Sequence, residues 1–220
     1  MGDRNATILH LLAASVRLGE GPVGRTVLVK QTYLVEMLRP LYELYTSAYK
    51  FVRYRYGPYS KDIFRRLDQL VFHGLAEVVE FNIVEGKVKA TYASTDSGLR
   101  LANKISCEPE GELLASLCND VIWSLQCLGI RSYRDIIRLV YNEPAYEQVN
   151  RQAIQQGIPD SEAVPLPKVH SEQHPSFRLQ SVFSAIHAYR KAELPSPREI
   201  VRRYLYYLAI ADLPLRMSRR

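Results

Sequence analysis

The sequence predicts a mostly α-helical protein with a small β-hairpin: a winged helix-turn-helix domain followed by a C-terminal helical extension. Three observations carry that expectation. Apolar residues recur at helical spacing through most of the chain. One alternating stretch, "AEVVEFNIVEGKVKATYAS" (76–94), reads as two strands around a tight turn at Glu85-Gly86. A basic, aromatic stretch, "FVRYRYGPYSKDIF" (51–64), runs through Gly-Pro straight into a helical pattern.

Taken in order, residues 6–18 place Ile8, Leu11, Leu12 and Val16 at helical spacing, and Gly19 stops the helix. "EGPVG" reads as a turn. A second helix over 25–38 carries Leu28, Leu34, Val35 and Leu38 and is bounded by Pro40. Residues 51–56 alternate as a short strand. Val52, Tyr54 and Tyr56 are expected on an aromatic, core-facing side, and Phe51, Arg53 and Arg55 on the other. Gly57-Pro58 breaks the strand, since proline cannot donate to a ladder. Ser60 suits an N-cap for a third helix, with Ile63, Phe64, Leu67, Leu70 and Val71 on one face and Gly74 at its end. In the hairpin Val79, Phe81 and Ile83 alternate on one arm, and Val88, Ala90 and Tyr92 on the other. A further helix starts near Ser97. Helix, helix, strand, helix, hairpin is the order of a winged helix-turn-helix, which assigns residues 1–106 to that domain.

The remainder reads as helical. A helical extension spans 107–157, with apolar stripes in 111–128, 131–142 and 144–156. Residues 158–176 are rich in proline and form a linker or surface loop. A helical pair and basic tail complete the chain over 177–220. Its first helix stacks Leu179, Val182, Phe183, Ile186 and Tyr189. The second opens on Ser196-Pro197-Arg198-Glu199, a capping box with proline at the first helical position. Its stripe of Ile200, Val201, Tyr204, Leu205 and Leu208 is expected to lie under the helix at 177–191. Tyr206, Tyr207 and Ile210 fall outside that stripe, which makes them candidates for a protein interface or a homodimer contact.

These residues resemble a known family. Leu28, Lys30, Tyr33 and Leu34 in "L-x-K-x-x-Y-L", followed by "RYRYGPYSKDIFRRLDQLVFHGLAEV", look like the YwgA-type winged-helix proteins. More distantly they resemble the Panacea, SocA-like antitoxin domain. "SYRDIIRLVYNEPAY" (132–146) is similar to the helix after the wing in the first family. The likeness covers about residues 1–150. It implies a non-enzymatic role in regulation, toxin neutralisation or phage defence.

Composition bounds the function further. The chain has 220 residues, 47% of them apolar, and no apolar run reaches the ~18 residues that span a bilayer. Cys107, Cys118 and Cys127 show no metal or redox spacing, which suits a reducing, cytoplasmic setting; Cys118 and Cys127 read as packed thiols. The net charge is +6, and residues 1–106 carry most of the surplus, with 15 Lys/Arg against 10 Asp/Glu. That favours a polyanionic partner. Arg53 and Arg55 form the strongest basic patch, unless carboxylates of the C-terminal helices pair with them. Lys61, Arg65, Arg66 and Gln69 on the third helix, with Lys87 and Lys89 on the wing, complete the candidate nucleic-acid contacts. Asp62 and Asp68 share that helix face and oppose phosphate. Phe72 on the same face suggests a protein contact instead.

Catalytic and cofactor signals are weak. "GPVGRT" lacks the Lys-Ser/Thr of a phosphate loop, and His170-x-x-x-His174 lies in a proline-bounded loop without a cysteine partner. No enzyme activity, metal or cofactor is expected. The working expectation is DNA or other nucleic-acid binding, and the alternative is a protein-interaction module.

Overall fold

The computed structural model of the chain describes residues 3–46, 48–84, 87–167 and 195–211. Within them the protein is mostly helical, with two small antiparallel sheets. The first half runs α1 (Asp3–Arg17), β1 (Val23–Gly24), α2 (Arg25–Leu38), β2 (Val52–Tyr54), β3 (Gly57–Tyr59) and α3 (Lys61–Phe72). The strands β4 (Ala76–Val84) and β5 (Lys87–Ser94) follow, then α4 (Asp96–Ile105) and α5 (Pro109–Cys127). The chain continues through α6 (Tyr133–Tyr141), α7 (Pro144–Gln155), β6 (Val164–Pro165) and α8 (Pro197–Ile210).

Helix α1 lies at the centre. It packs against α5, α4, α3, α2 and β5, so Ile8, Leu9, Leu11 and Leu12 are fully buried. Val16 was expected on the apolar stripe but is partly exposed, because the last turn of α1 emerges from the bundle. His10 is buried on the same helix with neither ring nitrogen hydrogen-bonded. Burial lowers its pKa to about 4, with Arg17 adding to the effect, so the ring is neutral in ordinary buffers.

The first sheet has the order β1-β5-β4, with Val23 paired to Tyr92 and Phe81 to Ala90. A register shift between Val78 and Glu80 makes a bulge at Val79. The third strand of this sheet is therefore Val23–Gly24, inside the segment expected to be a turn. The strand expected at 51–56 belongs to a second sheet, β3-β2-β6, shorter than its alternation suggests. Gly57-Pro58 does not end the pairing. Arg55 and Tyr56 form a two-residue turn, and Gly57, at φ +94°, supplies the left-handed conformation that brings the chain back. Pro58 is tolerated because β3 is an edge.

Caps follow the sequence unevenly. The Ser196 hydroxyl accepts from the Glu199 amide at 3.3 Å, as the capping box requires. Ser60 stands at the N-cap of α3, yet its side chain makes no cap hydrogen bond. Thr95 caps α4 by accepting from the Gly98 amide at 3.0 Å. Gly98 itself is required by crowding, since a Cβ there would lie 2.0 Å from the Leu75 carbonyl oxygen.

One hydrophobic core joins residues from Ala6 to Leu208, so α5, α6 and α8 share it with α1 and α2. The stripe of α8 packs against α5 and α6; the helix expected over it at 177–191 lies outside the described residues. Val201, Leu205 and Leu208 are wholly buried, each worth roughly 1.5–3 kcal/mol. Arg198 fixes the helix start by pairing with Asp120 at 2.8 Å and lying over the Trp123 ring. Asn142 holds its end by donating to the Leu208 carbonyl at 2.8 Å. Helix α8 is thus part of the core.

Candidate functional site

The stretches singled out in the sequence meet in space. Lys30, buried on α2, donates from Nζ to the Pro58 carbonyl at 2.7 Å. A Cβ on Gly57 would lie 3.3 Å from that nitrogen and 3.4 Å from the Tyr141 ring, so the hairpin return is seated on both. The Tyr141 hydroxyl donates to the Arg55 carbonyl at 3.3 Å, and its ring packs on Tyr146. Glu143, fully buried, caps α7 by accepting from the Tyr146 amide at 2.8 Å. It also accepts from the Tyr33 hydroxyl at 2.5 Å and from Tyr204 at 3.4 Å. This seam ties α2, the β2–β3 hairpin, the α6–α7 junction and α8 together.

Burial shifts the titrations along the seam. It lowers the Lys30 pKa to about 7, since no carboxylate compensates the lost hydration. It raises the Glu143 carboxyl, partly offset by the donors Tyr33, Tyr146, Ala145 and Tyr204. The Tyr33 and Tyr204 phenols go well up, through burial first and Glu143 second. These groups are sealed among packed side chains and serve architecture.

Arg53 corrects the expectation of a two-arginine surface patch. It is 1% exposed, and its guanidinium donates to Asn150 at 2.9 Å, to the Pro159 carbonyl at 3.2 Å and to Asp160. The reason is the third strand: β6 pairs with β2, closing the 158–165 segment over Arg53. Tyr56 is the converse correction. It is 57% exposed at the hairpin tip rather than in the core, and Tyr54 is only half-buried. Arg55, also at the tip, is exposed and lies 5.9 Å over the Tyr54 ring.

On α3 the basic side chains are largely engaged within the protein. Arg65 pairs with Asp62 at 2.6 Å, and Arg66 donates to Gln69 at 2.9 Å. Asp68 pairs with Arg25 at 3.6 Å, while Arg25 lies 4.1 Å over Phe64. Lys61 is exposed, as is Lys89 on β5. The Lys87 side chain, His170 and His174 lie outside the described side chains. Among the described residues no three His, Cys, Asp or Glu gather as a metal site would need. Cys118 is buried, but Cys127 is exposed at the end of α5 and is not a packed thiol.

Strand β4 carries a run of exposed apolar side chains. Phe81 and Ile83, expected to alternate on one arm, are 62% and 67% exposed, and Val78 and Val79 are exposed beside them. Among the described residues strand β4 is also an edge, nine residues long and unpaired on one side. Phe72, at the end of α3, is 85% exposed, with the His73 ring against it. Tyr206 and Tyr207 project from α8 into solvent, whereas Ile210 is half-buried. Sequence reasoning missed Glu143 and Asp120 as organising residues. A glutamate directly before Pro144 at a helix start was the available signal for the first. Among the described residues no helix is long and apolar enough to cross a membrane. No protein-family model matches the chain, and no curated protein matches it.

Proposed function

We propose that the protein is a winged helix-turn-helix module that acts by binding another polypeptide through its wing. The winged-helix reading is supported by element order: β1 falls between α1 and α2 and pairs with β5, giving β1-β5-β4 behind α3. Relative to that arrangement the β2–β3 hairpin is an insertion before α3, and α5 to α8 are an extension packed on the same core.

The observation that carries the protein-binding reading is the edge strand β4. Natural sheets blunt such edges with proline, charge or a cover, because unpaired N–H and C=O groups recruit further strands. Here the bulge at Val79 and the carboxylates Glu77 and Glu80 offer partial protection, yet Phe81 and Ile83 stand outward on the free strand. A partner adding a strand to β4 would gain main-chain hydrogen bonds and cover those side chains. A nucleic-acid role for α3 is less favoured, since Asp62 engages Arg65 and Arg53 is buried. Polypeptide binding also fits the antitoxin-like, regulatory or defence role that the family resemblance implies.

The test is affinity purification of the tagged protein from its native cells after nuclease treatment, with Phe81→Glu/Ile83→Glu as the comparison. A discrete polypeptide retained by the parent and lost from the variant supports the reading. The same set of proteins on both would contradict it.

A further inference from the structure

A second surface lies where the β2–β3 turn meets α6. Helix α6 buries Ile136, Leu139 and Val140, which turns Arg134 and Arg138, one turn apart, to the opposite side. Tyr141, three residues beyond Arg138, shares that side and donates to the Arg55 carbonyl. The hairpin tip is thereby fastened beside the basic side of the helix. Tyr133 sits at its start, 40% exposed, and Tyr56 at the tip. Burial raises the Tyr133 phenol, and the Tyr56 and Tyr141 phenols, within electrostatic range of it, raise it further.

Among the described residues Arg55, Arg134 and Arg138 make no ion pair, and the closest acid in sequence, Asp135, is turned to Ser132. Asp135 accepts from the Ser132 hydroxyl at 2.5 Å, Glu147 holds Arg151, and Asp160 holds Arg53. Exposed rings beside free guanidinium groups are the combination that holds unpaired bases and their phosphates. A duplex would leave those rings nothing to stack on, because its bases are already stacked.

We infer that Tyr56 and Tyr133, with Arg55, Arg134 and Arg138, form a binding face for single-stranded nucleic acid. The tyrosines stack on bases and the arginines hold the backbone. The face is separate from the wing, and the inference does not depend on the polypeptide reading.

Fluorescence anisotropy with a short labelled single strand of mixed sequence tests it, with the matching duplex and a polyglutamate peptide as competitors. Three phosphate contacts predict that log affinity falls with log salt at a slope of about −2. Tyr56→Ala/Tyr133→Ala should weaken the single strand by about tenfold or more. Arg134→Ala/Arg138→Ala should bring the slope to about −0.7. All four side chains are substantially exposed, so unchanged far-ultraviolet circular dichroism and an unchanged thermal midpoint are expected of both variants. No binding at low salt would overturn the inference. So would competition by duplex or polyglutamate as strong as by the single strand, or a tyrosine pair whose loss changes nothing.

Discussion

The two three-stranded sheets meet the same problem, exposed strand edges, in opposite ways. The sheet β3-β2-β6 carries Pro58 on one edge strand and Pro165 on the other, so neither can extend a full ladder. Its faces are sealed as well, by Arg53 beneath the 158–165 segment and by Lys30 and Tyr141 against Gly57. The sheet β1-β5-β4 has no proline in any strand, and among the described residues nothing pairs with the outer side of nine-residue β4, with Phe81 and Ile83 exposed. Residue chemistry runs against first expectation: the arginine is inside and the phenylalanine outside. What separates the two is how many hydrogen bonds the surroundings offer. Arg53 is buried with three acceptors in place, which makes its burial tolerable.

If the β3-β2-β6 sheet is architectural, substitutions along its seam should cost stability. The largest effect is expected from Glu143→Ala, which leaves the Tyr33 and Tyr204 hydroxyls and the Tyr146 amide without an acceptor. Urea unfolding should show a loss of about 3–5 kcal/mol. Arg53→Ala should follow at about 2–3 kcal/mol. It is discounted because Asp160 is mostly exposed and rehydrates. An Arg53→Ala protein as stable as its parent would return that side chain to the list of surface groups and break the comparison.

Lys30 sharpens the same side through pH. It titrates near 7 when folded and near 10.5 when unfolded. Between those values the unfolded chain holds more protons, so stability rises with pH through that window. Between mildly alkaline conditions and the onset of tyrosine ionisation the parent should gain roughly 2 kcal/mol relative to Lys30→Met. Equal slopes for the two proteins would mean that Lys30 is hydrated. Gly57→Ala is a smaller perturbation, about 1 kcal/mol, because the strain of φ +94° adds to a contact that the end of Lys30 can partly yield.

Much of this was legible locally. The capping box at Ser196, the boundaries of α2 and the hairpin at 76–94 follow from residue spacing and turn chemistry, which act within a few residues. What was not legible depends on distant partners. Alternation puts Arg53 and Arg55 on one side of an extended strand, but Arg55 sits in the turn and β6, more than a hundred residues on, closes over Arg53. A two-residue strand such as Val23–Gly24 carries no periodicity to detect. The alternation of Phe81 and Ile83 was visible, yet whether anything covers them is settled only by tertiary packing. Lys30 and Tyr33 were recognised as a motif, but their partners Pro58 and Glu143 lie 28 and 110 residues away.

The smallest stability effect is expected on the open sheet. Phe81→Glu removes an exposed ring and should change unfolding free energy by no more than about 0.5 kcal/mol. Its consequence should fall on binding instead, the reverse of Arg53→Ala. The most direct test of that claim places a photo-crosslinking phenylalanine analogue at Phe81 or Ile83, and at the exposed Tyr45 and Ile154 for comparison, in the native cell. The wing positions should each yield one adduct of the same discrete mass, which tells a second copy of the chain from another protein, while positions 45 and 154 yield none. Adducts from position 45 or 154 with nothing at 81 and 83 would contradict a partner docked on β4.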